Sequence, residues 1–193
     1  IMAEWNFPPI RIGNLELGLM QGGMGVGFSR AGFASSVANA GGGGNIAAVG
    51  LSALRTENYL GSYAERNQQA LRDEIREARS KTSGVIGVNI MCALADHKEL
   101  METALQENID MIVSGAGIPR TLPLLKRQYP DCKTKLIPIV SSAGYANLIC
   151  KLWTSHYQYV PDAIVVEGRE AGGHLGFKAP ELIDPAFSLE NII

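Results

Sequence analysis

"LELGLMQGGMGVG", residues 15–27, decides between two parallel α/β folds. Its first half is a short apolar run closed by glycine and reads as a strand over 15–22. Its second half places glycines at 22, 23, 25 and 27. A dinucleotide-binding fold wants GxGxxG here, and an acidic residue closing the second strand to hold a ribose. The glycine spacing differs, and the next apolar run, "GNIAAVG" (44–50), ends without an acid. The fold that remains is a TIM (β/α)8 barrel.

Outward from this stretch the chain keeps one rhythm. Apolar runs at 44–50, 84–91, 111–117, 135–142 and 163–168 read as further strands. They are apolar on both faces, as parallel strands covered by helices must be. Between them, 28–41, 57–80, 96–108, 119–129 and 143–157 carry helical spacing or helix start and stop signals. Pro119 is expected to open the fourth of these helices. Six strands are counted where a barrel needs eight, typically in about 250 residues. The chain is therefore expected to hold the first six βα units of a barrel over residues 1–177. The tail 178–193 is expected to be a loop or the start of a lid segment, the remainder of the barrel being missing.

Composition narrows the function. A net charge of −2 on 193 residues gives no electrostatic reason for a nucleic-acid partner. No apolar run reaches the roughly 18 residues of a membrane span. The opening "IMAEWNFPP" has no basic region followed by an apolar one, so no secretory leader is read there, and Ile1 before Met2 reads as an appended residue. Three cysteines, Cys92, Cys132 and Cys150, form no CxxC and are read as free thiols in a reducing cytosol, which makes the protein cytoplasmic. His97, His156 and His174 fall on different elements, so no metal centre is expected.

The glycines cluster at the carboxyl ends of the strands, the end that carries ligands in such folds. Backbone without side chains lets a flat ligand approach and offers N–H donors. Gln21 and Met24 lie in the first loop. Asn89 stands at a strand end, and its amide can donate and accept. Ser114, Ser141 and Ser142 and a backbone nest at 115–117 complete a candidate pocket for a polar heteroaromatic ring. His97 and His156 read as structural. His174 follows Gly172 and Gly173, which leave room for a substrate beside a ring that titrates near neutrality. Glu167 and Glu170 are nearby acids.

"EGREAGGHLGF" (167–177), with "QGGMGVG" (21–27), "GVNIM" (87–91) and "SGAGIP" (114–119), resembles the nitronate monooxygenase family, formerly called 2-nitropropane dioxygenase. The family also includes flavin-dependent enoyl-acyl-carrier-protein reductases of the FabK type. The resemblance runs from about Pro8 to Phe177. It implies an FMN-binding TIM barrel and a flavin-dependent oxidoreductase acting on a small-molecule substrate, in a form compatible with a homo-oligomer. It implies His174 as the catalytic residue, and FMN contacts from Met20, Gln21, Gly22, Asn89, Glu167, Gly172 and Gly173. The family's phosphate-binding loops follow strands seven and eight, so these six units are not expected to hold FMN phosphate in the family's way. The implied activity is oxidation of alkyl nitronates by oxygen to a carbonyl compound and nitrite. The alternatives are an NAD(P)H-dependent enoyl-thioester reductase and a non-catalytic flavin-binding scaffold.

Overall fold

Five parallel strands take consecutive places in one sheet, each joined to the next through at least one helix. They are β3 (Gly44–Ala47), β4 (Ile86–Met91), β5 (Met111–Gly115), β6 (Lys135–Val140) and β7 (Val165–Val166). The computed structural model describes residues 8–193, and the stretch 1–7 with its reading as leader-free lies outside the described residues. Sequential order without a reversal is the topology of a barrel and not of a doubly wound sheet. The architecture is an α/β partial barrel.

The first expected strand differs from its reading. Residues Leu15–Leu17 form β2, which pairs antiparallel with β1 (Ile10–Ile12) in a separate hairpin. Only Met20 joins the parallel sheet, through a single bridge to Gly43. The apolar pattern was right for both uses, since Leu17 turns into the core beside Met111. What pattern alone does not show is the turn at Gly13, whose φ is +60°.

Strand alternation sorts the core into two clusters. Ile86, Val88, Ile90, Ile112 and Leu136 face outward, under the helices. Those helices are α1 (Ala31–Asn39), α2 (Tyr63–Lys81), α3 (His97–Gln106), α4 (Leu122–Lys126) and α5 (Ala143–Tyr157). Met111, Val113 and Ile137 face inward and meet Ile12 and Leu17 of the hairpin. The hairpin thus packs at the amino-terminal end of the strands, where β5 begins. Each fully buried Leu or Ile contributes about 1.5–3 kcal/mol.

Helix ends follow their local chemistry. α2 begins at Tyr63, later than the charged stretch suggests, because Ser62 and Glu65 close a capping box. Ser62 Oγ accepts from the Glu65 N–H at 3.3 Å, and Glu65 Oε2 accepts from the Ser62 N–H at 2.7 Å. α4 begins at Leu122, with Pro123 in its first turn, and not at Pro119. The Pro119 carbonyl instead accepts the indole N–H of fully buried Trp153 at 3.1 Å. β7 is shorter than the run 163–168, as a strand paired on one side among the described residues. The tail forms short turns at Ala179–Leu182 and Pro185–Phe187 and a four-residue helix α6 (Leu189–Ile192).

Two aspartates repeat one device. Asp110, just before β5, accepts the Ile86 N–H at the start of β4, at 2.7 Å. Asp162, before β7, accepts the Leu136 N–H near the start of β6, at 2.9 Å. In both cases the same residue's own N–H returns to the neighbouring strand, to Ile86 O and Leu136 O.

Candidate active site

With the hairpin at the other end, the carboxyl ends of the strands form the free rim. The first loop, 22–28, is pinned there by a buried amide. Gln21 Nε2 donates to Ser29 Oγ at 2.7 Å and to the Asn45 carbonyl at 3.1 Å. Its Oε1 accepts from the Asn45 N–H at 3.3 Å, and its carbonyl accepts from Asn45 Nδ2 at 2.6 Å. Ser29 Oγ in turn accepts the Met24 N–H. The Gln21 side chain is thereby committed to shaping the loop, and Ser29 and Asn45 are supports of the candidate site that the sequence reading missed. Only the polar character of a residue inside an apolar strand, Asn45 in "GNIAA", could have signalled them.

The pinned loop reaches Asn89. A Cβ on Gly23 would lie 2.3 Å from both Asn89 Cβ and Cγ, so only glycine fits there. Asn89 faces inward between Ala47 and Val113 in the sheet register. Its backbone carbonyl accepts the Ala48 N–H, while its side-chain amide makes no hydrogen bond among the described residues. Gly22 is exposed, and a Cβ added to it would meet nothing within 4 Å. Met20 is half-buried under the same loop, beside the inner cluster.

The second group follows β7. The Glu167 N–H donates to the Val140 carbonyl at 2.8 Å, continuing the ladder by one bond. Burial pushes the Glu167 carboxyl above its usual range. Gly173 has φ of +91°, a conformation that needs glycine. Neither Gly172 nor Gly173 has a heavy atom within 4 Å of where a side chain would start. His174 is exposed, and its ring makes no hydrogen bond to the described residues. The chain then folds back over β6, where a Cβ on Gly176 would meet Ser141 Oγ at 2.8 Å.

The remaining sequence candidates divide. Ser142 caps α5 by accepting the Tyr145 N–H at 3.3 Å. Ser141, Ser142, Tyr145, Gly176, Phe177 and Lys178 line a rim cleft of about 620 Å³, partly roofed by the tail. His174 stands one residue beyond Leu175 from this lining and is not part of it. Ser114 is a correction. It points outward, fully buried, with its hydroxyl on the Ile90 carbonyl and Cys92 Sγ, because strand alternation sends its neighbours Val113 and Gly115 inward. Ala116 and Gly117 turn the chain after β5 with φ of +51° and +135°. His97 Nδ1 lies 3.0 Å from the Leu94 carbonyl and His156 Nδ1 3.0 Å from the Leu152 carbonyl within α5. The described residues contain no cluster of three metal-ligating side chains, and no described helix is long and apolar enough to cross a membrane.

A family model described as nitronate monooxygenase matches residues 10–111 and 97–193. The chain belongs to the nitronate monooxygenase family. Members of that family are flavin-dependent oxidoreductases. Among solved structures, FabK from Thermotoga maritima is similar, with 27% identity and a TM-score of 0.64 over 86% of this chain and 45% of that one. Nitroalkane oxidase from Streptomyces ansochromogenes shares the fold at 18% identity and a TM-score of 0.64, over 86% of this chain and 51% of that one. The chain thus spans about half the length of these solved family members. No curated protein gives a significant match.

Proposed function

We propose that the protein oxidises alkyl nitronates with oxygen, giving a carbonyl compound and nitrite, with FMN as cofactor. One observation carries this reading. His174 stands exposed and unpaired on the rim, beside two glycines with open space where side chains would be. The residues also fit a flat ring. Gly22, Gly172 and Gly173 leave unfilled space, and Asn89 presents a free amide next to the pinned first loop. Bound flavin supplies the electron acceptance from the nitronate and the reaction with oxygen.

In this reading Asn89, Gly22 and the backbone of Met20 and Gln21, together with Glu167, Gly172 and Gly173, would hold the cofactor. His174 donates a hydrogen bond to the nitro oxygens, where negative charge sits, or removes the α-proton of a neutral nitroalkane at its imidazole nitrogen. Residues 1–177 act as the flavin-binding barrel portion, and 178–193 begin a covering segment, as the tail's place along the rim cleft supports.

The competing reading is NAD(P)H-dependent reduction of an enoyl thioester, favoured by the similarity to FabK. Anaerobic titration of the flavin-loaded protein separates the two. Bleaching by a nitronate alone supports the oxidase-type activity. Bleaching by NAD(P)H and not by nitronate refutes it in favour of the reductase. Full flavin occupancy with neither response would leave a scaffold.

A further inference from the structure

We propose that Arg169 is an oxyanion-binding side chain of the rim, built to hold a carboxylate or phosphate group of a ligand. A guanidinium cannot shed its charge, and its planar fork matches both oxyanions. In Arg169 the Nε and Nη1 atoms are buried and make no hydrogen bond. Only one other side-chain atom among the described residues, Asn45 Oδ1, is in that state. The nearest ion-pair partner is Glu170, at the 4.0 Å limit and with a side chain 89% exposed. Such a contact contributes little.

The other buried guanidinium shows how this chain satisfies arginine when structure is the purpose. Arg55, with 11% of its side chain exposed, reaches Glu57, Glu74 and Glu77 at 2.8–3.2 Å. Arg169, at 16%, has nothing comparable. A buried cation without partners lowers stability, so its retention calls for an occupant.

The surroundings say where that occupant enters. Gly168 packs against Leu189, which opens α6, so the segment 188–192 lies over this corner of the rim. That segment brings a carboxylate, Glu190, within electrostatic reach of Arg169. It is one short helix, tied down through Ser188 and by Asn191 on the Pro185 carbonyl. Elements this small open at low cost. An incoming oxyanion displaces Glu190's influence and takes the guanidinium edge that carries the unpaired Nε–H, five residues before His174. The inference goes beyond the proposed activity and does not depend on it.

The test uses the full chain and two probes, inorganic phosphate and acetate, each against chloride at equal ionic strength. The melting temperature of the wild type rises saturably with at least one oxyanion. Arg169→Gln weakens that apparent affinity about 10- to 100-fold, the range of a charged hydrogen-bonding group, and Arg169→Lys retains part of it. In chloride, Arg169→Gln melts at or above the wild type, since a buried unpaired charge has gone. The proposal is overturned by a wild type that answers neither oxyanion, or by an equal response in Arg169→Gln. Loss of stability or failure to fold in chloride also overturns it, because Arg169 would then be a structural cation. Flavin titration identifies the source. Weaker FMN binding with unchanged riboflavin binding assigns the cofactor's phosphate, and neither changing assigns a substrate's anionic group. Equal weakening of both flavins shows no oxyanion preference and counts against the proposal. A nitronate that fails to bleach the wild-type flavin rejects the proposed activity and leaves this result standing.

Discussion

Gly23→Ala tests whether the first loop is a rigid wall of the proposed flavin site. The added methyl would stand 2.3 Å from Asn89 Cβ and Cγ and 2.8 Å from its Oδ1. Ordinary carbon contacts need about 3.5–4.0 Å, so the loop or Asn89 must move by about an ångström. The loop cannot yield freely, because Gln21, Ser29 and Asn45 pin its base through five hydrogen bonds of 2.6–3.3 Å. Overpacking of this kind costs about 1–3 kcal/mol. Displacing a positioning group by about 1 Å costs on the order of 10²-fold in rate. The expected variant is folded, a few degrees less stable, and about 100-fold slower in kcat/KM with nitronate. Gly22→Ala is its control. That position has nothing within 4 Å, so the added methyl should leave the melting temperature unchanged and weaken flavin alone. Thermal unfolding without flavin and fluorescence titration with FMN read the two effects separately. If Gly23→Ala keeps wild-type flavin affinity and turnover, the loop yields and the wall argument is wrong.

Three further outcomes follow from the structure. His174→Asn should bind FMN as the wild type does and lose about 10² to 10⁴ in kcat/KM on neutral nitroalkane, with a smaller loss on pre-formed nitronate; equal losses on both would reject the proton-abstraction role. Glu74→Gln leaves Arg30 and Arg55 without their shared buried carboxylate and weakens the bond to the Ala31 N–H, so urea unfolding should show a loss of about 3–5 kcal/mol; a loss below about 1 kcal/mol would mean the cations find other partners. Burial raises the folded-state pKa of Glu167, so its charging opposes the fold as pH rises through that raised value, and the protein is relatively more stable below the unfolded carboxyl range. Glu167→Gln should therefore gain melting temperature over the wild type at neutral pH and lose that advantage in acid; a pH-independent difference would show that the carboxyl is solvated.

Most of the fold was legible because parallel barrels write it in one variable, the alternation of doubly apolar runs with amphipathic stretches. Strands β4, β5 and β6 and helix α5 fall where that pattern puts them. It failed where one pattern serves two partners. Leu15 and Leu17 satisfy a barrel strand and a hairpin equally, and the choice rests on a turn at Gly13 and on contacts with Met111 far along the chain. The candidate site was legible at its glycines, since missing side chains are visible in sequence. Polar roles were less so. Gln21 and Ser114 lie at strand ends like Asn89, but hydrogen bonds to Ser29, Asn45 and Ile90 turn both into internal supports. Arg169 sits in the open within a recognised motif, and only its lack of partners in three dimensions distinguishes it.

The paired aspartates have a consequence for fidelity of assembly. Alternating side chains guard a sheet against one-residue slips, because such a slip turns every apolar group to the wrong face. They give no protection against slips of two, which restore the facing. Asp110 and Asp162 add a reference point to that register. Each ties off the N–H at or near the start of the neighbouring strand, Ile86 or Leu136, and returns its own N–H to the same residue's carbonyl, so a two-residue offset would move the tie away from the place where the strand begins. They mark where pairing starts in two of the four neighbouring pairs, β4 with β5 and β6 with β7.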